Sequence, residues 1–119
     1  MGGSLPTGRG RRSGVAHDVF ISHSARDRRT AEVACAFLEA EGLTCWIAPR
    51  DVAAGAPWAS ALVEAIEASR AMVLVFSRCS NDSEHVLREV TAAADAGVPI
   101  LPFRIEDTQP SKELGYYIR

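Results

Sequence analysis

Polar side chains fall at regular points in this chain, directly after short apolar runs. Ser22, His23 and Ser24 follow Val19-Phe20-Ile21, and Arg50 and Asp51 come just after Cys45-Trp46-Ile47. Ser77 and Arg78 follow residues 71–76, and Arg104 follows residues 98–103. Hydroxyls and arginines gathered on one rim beside helix N-termini suit an anion such as phosphate or pyrophosphate. Each of these arginines alone reads equally well as solvated surface charge. Glu89 stands out as a lone carboxylate about 60° around its helix from Val86, on the flank of the apolar face. His85 lies four residues earlier on that flank. On spacing alone, an exposed glutamate paired with Arg88 is the commoner outcome at such a position.

The elements that must carry these residues are legible in the apolar pattern. The run at 19–21 is a strand. In residues 30–41, Ala31, Ala34, Cys35 and Leu38 recur at helix spacing, with a start at Ser24 to Asp27 and a stop at Gly42. Residues 43–47 form the next strand, and Pro49 to Pro57 a loop containing Gly55. Pro57 suits the first helical position. Trp58, Ala61, Leu62, Ala65, Ile66 and Ser69 make the second helix face, with Trp58 an anchor on it and Trp46 a core residue. Residues 71–76 are an apolar strand. Asn81, Asp82 and Ser83 are caps for a third helix whose face is Val86, Val90, Ala93 and Ala94, ended by Gly97. Residues 98–103 are a fourth strand, placed toward an edge or starting late by Pro99 and Pro102. A loop at 106–110 and a short helix at 111–118 follow.

Strands alternating with single helices at near-equal intervals are βαβ units. Continuous apolar strand runs predict strands covered on both faces, as in a parallel sheet. Right-handed crossovers then give an open, doubly wound α/β sheet, whose ligands bind beyond the carboxyl ends of the strands.

Composition narrows the function. The chain has 119 residues, 47% apolar and 24% charged, with a net charge of −2. That is one globular domain with its own core. The charge argues against nucleic acid as a partner, and runs such as 71–76 are far too short to cross a bilayer. Cys35, Cys45 and Cys79 form no CxxC pair and read as reduced thiols in a cytoplasmic chain. With His17, His23 and His85 they show no metal-ligand spacing, so no metal is expected. Residues 1–16 are rich in glycine, with Arg9, Arg11 and Arg12, no acid and no apolar signal core. They read as a flexible segment ahead of a domain spanning 17–119.

Other chemistries on this topology are absent. A phospho-receiver needs carboxylates where Ser22-His23 and Ser77 stand. There is no GxGxxG, GxxxxGK[ST] or GxSxG.

His17-Asp18-Val19-Phe20-Ile21-Ser22-His23-Ser24 with Asp27 resembles the opening strand and loop of Toll/interleukin-1 receptor (TIR) domains. Cys45-Trp46-Ile47-Ala48-Pro49-Arg50-Asp51, with Gly55 and Trp58, is similar to the second strand and BB loop of the bacterial branch. Val73-Leu74-Val75-Phe76-Ser77, Val86-Leu87-Arg88-Glu89-Val90 and residues 98–104 resemble its later strands and helix, so that the likeness runs from His17 to about Tyr117.

The resemblance implies a flavodoxin-like parallel sheet of order 2-1-3-4-5, its last strand missing from this chain. It implies cleavage of NAD+ at the nicotinamide–ribose bond, with Glu89 as the catalytic carboxylate. NAD+ is then the substrate, and no cofactor is expected. Ser22, His23, Arg50, Ser77, Arg78 and His85 are the candidate substrate contacts. His85 stands where several NAD+-cleaving members carry an aromatic residue. Arg50, Asp51, Val52, Gly55 and Pro57 of the BB loop are candidates for assembly with other TIR domains. A sensor domain that triggers assembly, a cytoplasmic setting and a role as a bacterial immune effector complete the expectation. The alternative is a non-catalytic TIR–TIR interaction module.

Overall fold

A computed structural model describes residues 16–118. Of the segment expected to be flexible over 1–16, only Ala16 lies among them, its N–H donating to Ala68 O at 2.7 Å. Four strands, β1 (His17–Ser22), β2 (Cys45–Ile47), β3 (Ser69–Phe76) and β4 (Ile100–Arg104), form one parallel sheet in the order β2-β1-β3-β4. Around it lie α1 (Arg28–Ala40), α2 (Trp58–Glu67), α3 (Arg78–Asn81), α4 (Glu84–Asp95) and α5 (Lys112–Ile118). This is the flavodoxin-like order expected, as far as β4.

The two faces of the sheet make two cores. Phe20, Met72, Leu74 and Phe76 pack with Leu62 and Ile66 of α2, Val86 and Val90 of α4, and Leu114 of α5. On the other face, Val19, Ile21, Ile47 and Val75 pack with Ala31 and Cys35 of α1. Trp46 is buried and stacks on Phe20 with ring centroids 5.2 Å apart. β1 is central, so its carboxyl end is held from both sides, by β2 and by β3.

Several boundaries differ from the sequence expectation for identifiable reasons. α1 begins two residues before residue 30, after a 3₁₀ turn at Ala25–Asp27. β2 starts at Cys45 rather than 43, because Leu43 N–H closes on Leu38 O and Thr44 N–H on the Asp18 carboxylate. Gly42 and Gly97 do stop their helices, each at positive φ (94° and 73°), a conformation costly for other residues. Pro57 precedes α2 as its N-cap instead of opening it. Ser69 is the first residue of β3, its hydroxyl donating to Ala65 O at 2.7 Å. Val98 N–H is used to close α4 on Ala93 O, so β4 starts at Ile100.

The four-residue helix α3 was not anticipated; Ser77 and Ser80 build it as a reciprocal capping box. Ala94, assigned to the buried face of α4, is exposed. β4 is not covered on both faces either. Leu101 and Phe103 pair with Val73 and Val75, so they share the α1 face, yet they are about half exposed. Among the described residues α1 packs over β1 and β2 and leaves that face open at β4.

Leu74 is fully enclosed at the centre of β3. Leu74→Ala is expected to cost about 2–5 kcal/mol of stability, checked by urea unfolding. A smaller loss would mean that the two cores can collapse around the gap.

Candidate active site

The carboxyl end of β1 delivers Ser22 into the interior, fully buried. Opposite it, α4 is fixed by Val86, Val90 and Ala93, all without exposure. Its first turn is set by Ser83, whose hydroxyl accepts Val86 N–H at 3.1 Å. That docking turns Glu89 inward on the flank of the buried face. The Ser22 hydroxyl donates to Glu89 Oε1 at 2.7 Å. Burial pushes the Glu89 carboxyl up to about 7, and the Ser22 hydrogen bond and the charge of Arg88 pull it only part of the way back. Sequence spacing favoured an exposed pair with Arg88; the structure has a partly buried carboxylate on Ser22 instead.

Glu89 lies where two clefts meet. One, of about 290 Å³, opens between the end of β1 and the segment after β2, and is bordered by His23, Arg28, Pro49, Trp58, His85 and Glu89. The other, about 210 Å³, is a groove between α2 and α4 that shares Trp58, His85 and Glu89. The nitrogens of His23 lie 2.7 Å from Ser24 O and 3.2 Å from Ala48 O. Both partners are acceptors, so a neutral imidazole donates to one at a time and an imidazolium to both. His23 thus links β1 to the loop after β2.

The remaining expected site residues are dispersed. Arg50 does not border the 290 Å³ cleft. Its guanidinium grips both Glu39 oxygens (3.2 and 2.9 Å), Cys45 O (3.0 Å) and Asp51 (2.8 Å). Those bonds hold Arg50 fully charged and Glu39 below its ordinary range. Ser77 is buried, bonded to the Asp27 carboxylate and to Ser80. Arg78 is exposed on α3, its backbone N–H donating to Glu106. Arg104 donates to Thr108 O at 2.6 Å and lies over the Phe76 ring. The arginine convergence expected on the strand-end rim is therefore not formed. Of the four residues Arg28, Arg50, Arg78 and Arg104, the one bordering the cleft is Arg28, at the start of α1 and paired with Glu32.

Sequence reasoning missed Arg28, and it assigned Trp58 to a helix anchor when it is a half-exposed cleft wall. The available signal was position: each opens a helix, and helix starts face the carboxyl edge of a parallel sheet.

The BB loop divides into a pinned base and a free tip. The Asp51 carboxylate accepts Ile47 N–H at 2.9 Å as well as the Arg50 bonds, and these outweigh the burial that would raise it. Val52 packs on the core, Gly55 is exposed, and Pro57 caps α2.

Elsewhere, Cys35, Glu39 and Cys45 form a cluster with metal-ligating potential, their donor atoms within 4.8 Å of one another. Among the described residues no helix is long and apolar enough to cross a membrane.

The sheet order and the strand-end cleft define a flavodoxin-like α/β domain. The chain belongs to the TIR-domain family, whose model, described as TIR domain, matches residues 19–118. The TIR domain of a Toll-related receptor from Hydra magnipapillata superposes with a TM-score of 0.76 at 22% identity, over 87% of this chain and 83% of that one. A metazoan TIR-STING receptor from C. gigas gives 0.76 at 27% identity, over 93% of this chain. The TIR domains of the activated Roq1 resistosome, which directly recognizes the pathogen effector XopQ, give 0.66 at 25% identity, over 75% of this chain. The match spans 38% of the TIR-STING chain and 57% of the Roq1 chain. Among curated proteins, none matches the sequence.

The partly buried carboxylate sets a stability signature. Below about pH 4.5 Glu89 is protonated in both folded and unfolded chains and contributes nothing. As pH climbs to about 7 the unfolded chain ionises first, and the folded state loses stability. Glu89→Gln should therefore be more stable than the parent near pH 8, by up to about 3 kcal/mol. The gain should fade on acidification. Equal stability across this range, by urea unfolding, would place the carboxylate in water.

Proposed function

We propose that this TIR domain is an NAD+ glycohydrolase that breaks the nicotinamide–ribose bond, with Glu89 as the catalytic carboxylate. The observation that carries the reading is the Glu89 carboxyl, partly buried at the mouth of a cleft and aimed by Ser22. Nicotinamide leaves a cationic bond as a neutral ring, so no general acid is required. What needs help is the oxocarbenium-like ribose. A fixed carboxylate in a dry site stabilises that charge and can hold the ribose hydroxyls. His85 and Trp58 border the same cleft, where a flat ring can stack. His23 and Arg28 are available for hydroxyl and phosphate contacts.

Self-assembly is the second part of the proposal. A cleft of about 290 Å³ is at the low end for a ligand site, roughly 300–1,000 Å³. It suits the reacting nicotinamide riboside half better than a whole dinucleotide. Another TIR domain, docking at the free tip of the BB loop, would complete it. The Roq1 TIR domains belong to an activated resistosome, and that supports an assembly-dependent reading here. The same reading has a sensor domain drive the assembly in the cytoplasm, in the setting of bacterial immunity.

A second reading, a non-catalytic TIR–TIR module, is favoured by one observation. The α2–α4 groove is flanked by exposed Trp58 and Val63, an apolar patch of the kind that partners cover.

Concentrated protein incubated with NAD+ should release free nicotinamide, and Glu89→Gln should lower the rate about a hundredfold or more. Turnover that survives Glu89→Gln would reject Glu89 as the catalytic group, and turnover absent at every concentration leaves the adhesive module. The working form is the carboxylate, so kcat/KM should rise with pH through about 7 and then level off. A rate that falls over that range would mean that the protonated acid is the active form.

A further inference from the structure

Cys35 and Glu39 lie four residues apart on one face of α1, and Cys45 opens β2 beside them. The two sulfurs and a Glu39 carboxylate oxygen are all within 4.8 Å of each other. Both thiols are buried, and Glu39 stands at the surface of a second cleft of about 480 Å³, which adjoins the first at Arg28, Ala48 and Pro49 and is bordered by Cys35, Glu39, Ile47 and Arg50. Tetrahedral zinc takes sulfur at about 2.3 Å and carboxylate oxygen at about 2.0–2.2 Å, which places ligand atoms roughly 3.5 Å apart. Small side-chain rotations close the difference. Thiolate donors select a soft d¹⁰ cation over magnesium or calcium.

We propose that Cys35, Cys45 and Glu39 form a binding site for a thiophilic divalent cation such as Zn²⁺, with water from the adjoining cleft as the fourth ligand. Two thiolates and a carboxylate around a dication leave one negative charge, and Arg50 supplies the balancing positive one. Its guanidinium already contacts both Glu39 oxygens, so it keeps one while the other turns to the metal. Binding expels two thiol protons to solvent. Burial raises both thiols, Cys45 to about 12, while Arg50 opposes the rise at each. Occupancy must therefore increase steeply with pH. The site ties α1 to β2 and, through Arg50 and Asp51, to the base of the BB loop. It does not depend on the NAD+ reading.

The test is titration of the reduced, metal-stripped full chain with Cd²⁺ alone at mildly alkaline pH, read by the ultraviolet thiolate-to-cadmium charge-transfer band. The expected result is saturation at one equivalent, bleaching by excess Zn²⁺, and an unchanged titration in Cys79→Ser, the half-buried third thiol. Cys35→Ala and Cys45→Ala should lose the band, and Glu39→Gln, a surface change that leaves the core intact, should weaken binding at least tenfold. No band at one equivalent, a band that Cys79→Ser abolishes, or affinity unmoved in Glu39→Gln would overturn the assignment.

Discussion

The site depends on a carboxyl group kept in a place that disfavours its charge. Glu89 is enclosed by a helix docked through Val86, Val90 and Ala93, and it has one neutral partner, the Ser22 hydroxyl. A full ion pair would hold the charged form stably and spend its field on the partner. A single hydroxyl orients the group and leaves most of its charge uncompensated, which on the glycohydrolase reading is available to a cation that arrives later. The same arrangement costs stability at neutral pH. That opposition is common where function needs a strained or desolvated group.

Rigidity comes from topology. Ser22 ends β1 and pairs with Leu74 of β3, and the preceding Ile21 is paired on both sides, so the hydroxyl is held in place by the ladders around it. Asp27 accepts from Ser24 and from Ser77, fastening the β1–α1 loop to the end of β3. His23 reaches across to Ala48 O. The floor of the cleft is therefore fixed at three strand ends, and what can move is the tip of the BB loop beyond Asp51. Arg50 serves that division as an anchor of the base, engaged by Glu39, Asp51 and Cys45 O.

Much of this was legible in the chain. Helix positions, the Gly42 and Gly97 stops and most of the apolar face of α4 follow from periodicity and turn chemistry, whereas the strand order came from the resemblance to TIR domains. Boundaries slipped where a side chain or a turn captured backbone groups that a strand would have used, as at Thr44 and Val98. Glu89 could be placed on a flank by angle, but whether a flank is wet or dry depends on which helix packs beside it, here α2. The arginines were misjudged for a related reason. Rim position says nothing about which nearby carboxylate claims a guanidinium first, and Glu39 is eleven residues from Arg50 on another element. The Cys35–Glu39 pairing at i,i+4 was visible, while the arrival of Cys45 needed the β2–α1 contact.

The dispersal of arginines bears directly on how the cleft would work with a dinucleotide. Arg50 is consumed by Glu39 and Asp51, Arg104 by Thr108 and the Phe76 face, and Arg78 sits outside. Among the arginines of the described residues, Arg28 is the one that borders the cleft, half engaged by Glu32 across an exposed i,i+4 pair worth only a few tenths of a kcal/mol. That pair yields easily to a phosphate. One such cation binds a pyrophosphate weakly, so on the glycohydrolase reading a lone domain has its carboxylate in place but little to retain the distal half of NAD+. On the glycohydrolase reading, the missing affinity must come from outside the chain's own fold, and the open side of the cleft is bordered by the unpinned loop tip and the half-exposed Trp58. Weak retention and a preset carboxylate are together what an enzyme needs if it is to stay quiet when dispersed and turn over when a neighbour closes the site.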